Sequence, residues 1–293
     1  MDCSPDMNVE IRIARFMPLG KRNSLCVSPG IPARRRSFPP MSTSSRITLI
    51  TGGSRGLGRS AALALAASGS DVILTYQQRA DAAAAVVAQV EALGRRAAAL
   101  PLDVADAASF PGFAARVRQQ LQDWQCSHFD ALVNNAGTSL HALIADTTDA
   151  QFDAVVAVHL KAPFFLTQAL LPLIADGGRI LNVSSGLTRF SMPGSAAYAM
   201  VKGGIEVFTR YLAKELGSRG ISANTLAPGA IETDFSGGMV RDNPEVNAMV
   251  AAATALGRAG QPDDIGPVVA ALLAPGTGWI NGQRIEASGG MLV

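Results

Sequence analysis

Cysteine and charge are both scarce in this chain, and long apolar runs are missing. The three cysteines, Cys3, Cys26 and Cys126, are odd in number and lack metal-ligand spacing. That argues against a disulfide framework or a zinc site and suits a reducing compartment, read here as the cytoplasm. Charged residues make up 16% of the chain and the net charge is +2. The longest apolar stretches, such as Ala82 to Val90, are Ala-rich and far short of the roughly 18 residues of a membrane span. There is no internal repeat and no heptad run. What the chain does have is 48% hydrophobic residues over 293 positions, ample for the core of one large domain.

Residues 1–40 differ from the rest. They hold Arg12, Arg15, Lys21, Arg22, Arg34, Arg35 and Arg36 against Asp2, Asp6 and Glu10, so the positive balance belongs to this stretch and the remainder is slightly acidic. No nucleic-acid surface is therefore expected on the remainder. Pro5, Pro18, Pro29, Pro32, Pro39 and Pro40 break any periodicity, so residues 1–45 are expected to be a disordered extension, of which residues 1–40 are dispensable for folding and activity. They lack a secretory apolar core, and the early acids fit an organellar transit peptide poorly.

From Arg46 the pattern changes. Ile47 to Thr51 is a short β-branched apolar run, Gly52-Gly53-Ser54-Arg55-Gly56-Leu57-Gly58 follows, and Arg59 to Ala67 is helical in composition. This reads as strand, glycine turn and helix. Such a turn admits a pyrophosphate to bare backbone, and the helix start offers unpaired N–H groups. Further strands are expected at 71–76, 96–102, 131–134, 179–183, 222–226 and 283–287, with helices between. Gly69, Gly94 and Gly217 stand at expected helix C-termini and Asp106 and Asp149 at expected N-caps. The implied architecture is α/β: a Rossmann-type doubly wound parallel sheet of about seven strands in a single domain, residues 46–293.

A second constellation lies in the later half. Tyr198 and Lys202 are four residues apart in Y-A-M-V-K, one turn of a helix, which places the phenol and the ammonium on one face. A cation there favours the phenolate. Ser184 and Ser185 end an apolar run shortly before.

Together these segments resemble the short-chain dehydrogenase/reductase family, over roughly Arg46 to Val293, and most closely its 3-oxoacyl-carrier-protein reductase-like branch. Asp103-Val104, Asn134-Asn135-Ala136-Gly137, Pro228-Gly229-Ala230-Ile231-Glu232-Thr233 and Gly257 to Ile265 carry the likeness in the same order. The resemblance implies that Ser185 holds a carbonyl oxygen, Tyr198 gives it a proton, and Lys202 favours the phenolate and binds the nicotinamide ribose. It implies a cofactor cradle of Gly52, Ser54, Arg55, Gly56, Leu57 and Gly58. Asp103 and Val104 would meet the adenine, and Asn135, Ala136 and Gly137 the adenosine ribose. Pro228, Gly229, Ile231 and Thr233 would meet the nicotinamide amide. Asp103 reads equally as a turn cap, and Asn135 as a turn residue. The enoyl reductase branch usually has a longer Tyr–Lys interval.

Cofactor choice follows from charge. An acid ending the second strand selects NAD, whereas here Tyr76 stands in that place and Arg55 and Arg79 are available for a 2′-phosphate. NADP(H) is therefore expected. One position departs from the family: His159 stands where an Asn usually serves a proton relay, and an imidazole titrating near neutrality is compatible with that role. His128 and His141 carry no assigned role. Phe190, Met192, Phe235 and Met239 are candidate substrate lining, within pocket-bordering segments 187–197 and 235–256. The expected partner is a small-molecule carbonyl or alcohol, with an acyl-carrier thioester as the alternative substrate and a weakly active nucleotide-binding regulator as the alternative function. Homotetramers, or dimers, are expected through the helices bearing His159 and Tyr198. Glu206, Arg210, Lys214 and Glu215 read as the solvated or interface face of the latter helix.

Overall fold

Strand side chains in this protein alternate between two apolar layers. Ile47, Leu49, Ile73, Leu132 and Ile180 enter one core, while Ile50, Val72, Leu74, Val133 and Leu181 enter the other. Burial on both faces is what a parallel sheet covered by crossover helices requires. The computed structural model describes residues 45–293, and the extension expected at the start of the chain, with Cys3 and Cys26, lies outside them except for Ser45. Ser45 belongs to the folded body, since its hydroxyl donates to Asp71 at 2.6 Å.

The strands are β1 (Ile47–Ile50), β2 (Asp71–Tyr76), β3 (Ala97–Pro101), β4 (Phe129–Asn134), β5 (Ile174–Val183), β6 (Ser222–Pro228) and β7 (Arg284–Ala287). They form one parallel sheet in the order β3-β2-β1-β4-β5-β6-β7. Strand order reverses between β1 and β4, the place where a crevice opens beyond the strand ends in this architecture. Helices α1 (Gly56–Ala67), α2 (Ala80–Ala92) and α9 (Pro262–Leu272) cover one face. The other face carries α3 (Phe110–Asp123), the run α4 (Asp149–Val156) and α5 (Ala162–Leu170), and α6 (Ala196–Glu215). Short helices α7 (Met239–Asp242) and α8 (Pro244–Ala252) follow β6.

Several local expectations shift. Helix α4 is capped by Thr148, whose side chain forms a reciprocal capping box with Gln151, so Asp149 is its first residue and not its cap. Gly69 and Gly94 take φ of +92° and +76° just past their helices, as a C-terminal glycine does. After α6 the left-handed residue is Gly220 (φ +67°), because a 3-10 turn over Gly217–Arg219 continues the helix first. Asp106 caps a 3-10 turn through the Ala108 N–H at 3.2 Å.

The 149–173 segment is apolar and long enough, by length and composition, to cross a membrane, although its sequence contains no unbroken apolar run of that length. Here Val155, Ala162, Leu166 and Leu170 are buried within the protein, and Phe164 and Phe165 stand exposed. Between α4 and α5 the helix widens to a π turn over Ala157–Lys161, with the Ala162 N–H reaching the Ala157 carbonyl. Pro163 explains the widening. It has no N–H to offer the carbonyl four residues earlier, that of His159, and its ring crowds that carbonyl.

Candidate active site

The glycine turn is shaped by contacts that exclude side chains. A Cβ on Gly58 would lie 2.2 Å from the Gly52 carbonyl oxygen, and one on Gly53 2.6 Å from Leu74 Cβ. Gly52 and Gly56 hold φ of +66° and +53°, a region glycine enters without strain. Helix α1 then starts with no side-chain cap and no acidic residue in its first turn. Its first N–H groups are left for an anion, so the cradle fits a dinucleotide pyrophosphate.

The residues after β4 brace that cradle. Asn135 donates its side-chain amide to the Thr51 and Gly52 carbonyls at 2.9 and 3.1 Å. The N–H groups of Asn135 and Ala136 donate to Thr51 Oγ1 at 2.9 and 3.0 Å. The Asn135 side-chain NH2 is thus engaged by the glycine turn, the structural alternative to a direct ribose contact. Thr51 was missed in the sequence, where it reads as the last residue of a β-branched run. Asp103 accepts from the Ala105 N–H at 2.9 Å through Oδ1, as a turn cap does. Val104 is half-buried beside it and packs on the core.

On the far side, β6 ends at Pro228. A Cβ on Gly229 would press on Ser288 at 2.9 Å. Ile231 bridges to Gly260, and Thr233 lies against Gly56, closing the cradle from above. Tyr76 ends β2 beside the turn, and the Gly53 N–H donates to the Thr75 carbonyl at 2.9 Å. Arg55 and Arg79 are both exposed. Arg55 approaches Asp234 at 3.4 Å, while Arg79 reaches Asp81 at 3.4 Å. Ser54 and Leu57 complete the turn.

The first two turns of α6 carry Tyr198 and Lys202 inward, both buried. The Lys202 ammonium donates to the Val183 carbonyl at the end of β5, 2.8 Å away, and lies 5.6 Å from the Tyr198 ring centroid. Burial lowers its pKa to about 7 from 10.5. For Tyr198 burial dominates and drives the phenol above its usual value, with the Ser185 hydroxyl beside it acting in the opposite direction. Removal of water is the dominant influence on the phenol, which holds its proton at neutrality.

Ser184 and Ser185 separate cleanly. Ser185 faces Tyr198 and accepts from the Leu187 N–H at 3.2 Å. Ser184 is buried and donates to Glu206 at 2.8 Å. His159 also differs from expectation. Its ring meets Tyr198 edge-on with centroids 5.3 Å apart, and its Nε2 lies 2.8 Å from the Thr138 carbonyl and 3.3 Å from the Thr138 N–H, the shorter contact favouring a proton on Nε2. Nδ1 is buried without a protein partner. Burial, and then the Lys202 charge, lower its pKa to about 3. A neutral, fixed imidazole results, and the near-neutral titration expected of it is lost to desolvation. A Cβ on Gly137 would strike the His159 ring at 2.8 Å, so that glycine makes room for it.

Phe235 reaches the Tyr198 ring at a centroid distance of 6.1 Å. Phe190 packs under Gly186 and the Arg189 guanidinium, while Met192 and Met239 are 40% and 46% exposed. His141, given no role by its sequence, packs over Gly194 in the same border.

A family model described as enoyl-(acyl carrier protein) reductase matches residues 52–292. The chain belongs to the short-chain dehydrogenase/reductase family. These are NAD(P)-dependent oxidoreductases. Among relatives, a 3-oxoacyl-[acyl-carrier-protein] reductase of Synechocystis sp. is 36% identical over 252 residues, covering 85% of this chain and 98% of its own length. The solved structure of LugOII, a promiscuous reductase catalysing keto-reduction at C1 during lugdunomycin biosynthesis, superposes with a TM-score of 0.80 at 39% identity, covering 85% of this chain and 98% of its own. The angucycline C-6 ketoreductase LanV with bound NADP gives 0.80 at 37% identity, with 84% and 95% covered.

Proposed function

We propose that this short-chain dehydrogenase/reductase is an NADP(H)-dependent ketoreductase acting on the carbonyl, or in reverse the secondary alcohol, of an apolar small molecule. The observation that carries the reading is the meeting of Tyr198, Lys202 and Ser185 beside the glycine cradle, with the phenol held protonated. A reductase needs a proton donor at neutrality, and a buried phenol next to a carbonyl-orienting hydroxyl supplies one.

The nicotinamide, when bound, supplies or accepts the hydride. The chain's own residues do the rest. Ser185 donates to the substrate oxygen and orients it. Tyr198 gives its proton to that oxygen as negative charge develops there. Lys202 holds the nicotinamide ribose, and its ammonium favours the phenolate once the proton has left. His159, neutral and anchored at Thr138, keeps the widened helix turn in place beside Tyr198. The cradle Gly52 to Gly58, with Asp103, Val104, Ala136, Gly137, Pro228, Gly229, Ile231 and Thr233, holds the dinucleotide. NADP(H) is preferred because β2 ends in Tyr76, not in an acid, and Arg55 and Arg79, exposed and held only by 3.4 Å surface pairs to Asp234 and Asp81, can turn towards a 2′-phosphate. The bound NADP of LanV supports this choice. Phe235, Phe190, Met192 and Met239 line the substrate's path, and their apolar character favours a free ketone over a charged carrier-bound group.

The exposed apolar residues Phe164, Phe165, Met200, Val207 and Tyr211 on α5 and α6 support a homotetramer or dimer in which a second copy covers this face. Oxidation of NADPH by the wild-type protein across ketones, β-ketoacyl thioesters and quinones tests the assignment. Turnover of ketones is the expected result. Turnover confined to thioesters transfers the reading to acyl-carrier chemistry, as in the Synechocystis relative, and turnover of none leaves a nucleotide-binding regulator.

A further inference from the structure

Glu206 has the same helix face as Tyr198 and Lys202, four residues beyond the lysine on α6, and its side chain is 15% exposed. Instead of facing solvent with Arg210, Lys214 and Glu215, it turns towards the end of β5. One carboxylate oxygen, Oε1, collects three donors: the hydroxyl of Ser184 at 2.8 Å, the hydroxyl of Thr188 at 2.7 Å and Nε of Arg284 at 2.9 Å. Ser184 and Thr188 flank Ser185. Arg284, from β7, also places a guanidinium nitrogen 3.3 Å from the Ser185 carbonyl, and Glu286 holds that guanidinium from the other side at 2.8 Å.

We propose that Glu206 is a positioning residue: it clamps the Ser184–Thr188 turn against α6 and so fixes the distance between the Ser185 hydroxyl and the Tyr198 phenol. The inference rests on the ketoreductase reading of that site and adds to it a group that touches neither substrate nor cofactor. Physical reasons favour a clamp over an incidental ion pair. Charge-assisted hydrogen bonds are short and directional. All three converge on one atom, and their donors come from the serine turn and from β7, so the serine turn is tied to α6 and β7 by one atom. Side chains at i, i+4 and i+8 of a helix share a face, so a single rigid rod carries the acid, the ammonium and the clamp.

The test measures ketone reduction and NADPH binding in Glu206→Ala and Glu206→Gln, each made in the wild-type and Ser185→Ala backgrounds. Loss of the clamp lets Ser185 drift, and misplacement of about 1 Å costs on the order of 100-fold in turnover. Glu206→Ala is expected to lower kcat by about that factor with the NADPH dissociation constant unchanged, and Glu206→Gln, which keeps an acceptor oxygen, to recover most of it. In the Ser185→Ala background the further loss should be less than about threefold, because residues acting as one unit are not additive. Equal losses in both backgrounds, or NADPH affinity falling in step with kcat, overturn the proposal. Ser184→Ala removes one donor to Glu206 while leaving the Thr188 hydroxyl 3.0 Å from the Ser185 carbonyl, and this donor-side variant should reproduce part of the loss if Glu206→Ala does not fold. Amide exchange separates the two levels of the argument. Faster exchange confined to residues 185–190 in Glu206→Ala or the donor-side variant, and not in Glu206→Gln, upholds the clamp even if the wild type reduces no ketone, in which case the ketoreductase reading alone fails. Unchanged exchange in both variants defeats the clamp.

Discussion

Replacing Lys202 with methionine should remove a specific pH dependence of stability. The ammonium is buried with a pKa near 7 in the folded chain against 10.5 when exposed. Between those values the unfolded chain binds more protons than the folded one, so stability rises with pH across the window and falls as pH drops towards 7. Taking one proton at about 1.4 kcal/mol per pH unit, half-saturated near 7 and nearly complete above 8, the Lys202 contribution grows by about 2 kcal/mol between about pH 7 and about pH 9. For a domain of this size that is a rise of roughly 4–8 °C in Tm. Tyr198 adds nothing in this window, because burial moves its titration further above its ordinary value of 10.0. Thermal unfolding of the apo protein at both pH values, compared with Lys202→Met, isolates the effect since other groups cancel in the difference. The variant should lack the rise and be inactive. Identical slopes in the two proteins would refute the claim that this ammonium is dehydrated in the fold.

On the acid side, His159 has a folded pKa near 3 against 6.5, so its contribution is complete above 6.5 and lost as pH falls towards 3. His159→Asn should flatten the acid limb of the stability curve while its pH–rate profile above about pH 6.5 matches the wild type; a displaced rate profile would restore the imidazole to the proton path. Arg55→Gln should weaken NADPH binding by about 10- to 100-fold, the range for a lost charged hydrogen bond, and NADH by far less. Equal effects measured by fluorescence titration would remove Arg55 from 2′-phosphate recognition. Phe165→Asp should shift sedimentation towards the monomer, and an unchanged profile would place the subunit contact elsewhere.

How much of this was legible in the sequence depended on how local the cause is. The sheet and its switch point follow from β-branched runs alternating with helical segments, and the glycine cradle from its own spacing. The four-residue interval placing Tyr198 over Lys202 is equally local. What remained hidden needed partners distant in sequence. Nothing beside Asn135 in sequence points to Thr51 and Gly52, whose carbonyls take its side-chain NH2. Glu206 looked solvated, because nothing in α6 itself announces Thr188 or Arg284. The titration of His159 was misjudged because burial, which sets it, is a property of the whole packing. The π turn was not foreseen either, although its cause is local: the N–H that Pro163 withholds from the His159 carbonyl.

The central claim is that a buried, protonated phenol delivers the proton that accompanies hydride transfer. It is tested most directly by ketone-dependent NADPH oxidation in Tyr198→Phe, measured together with NADPH binding. Turnover should fall by about 100-fold or more with cofactor affinity retained, as expected on losing a general acid. Turnover within a few-fold of wild type would contradict it.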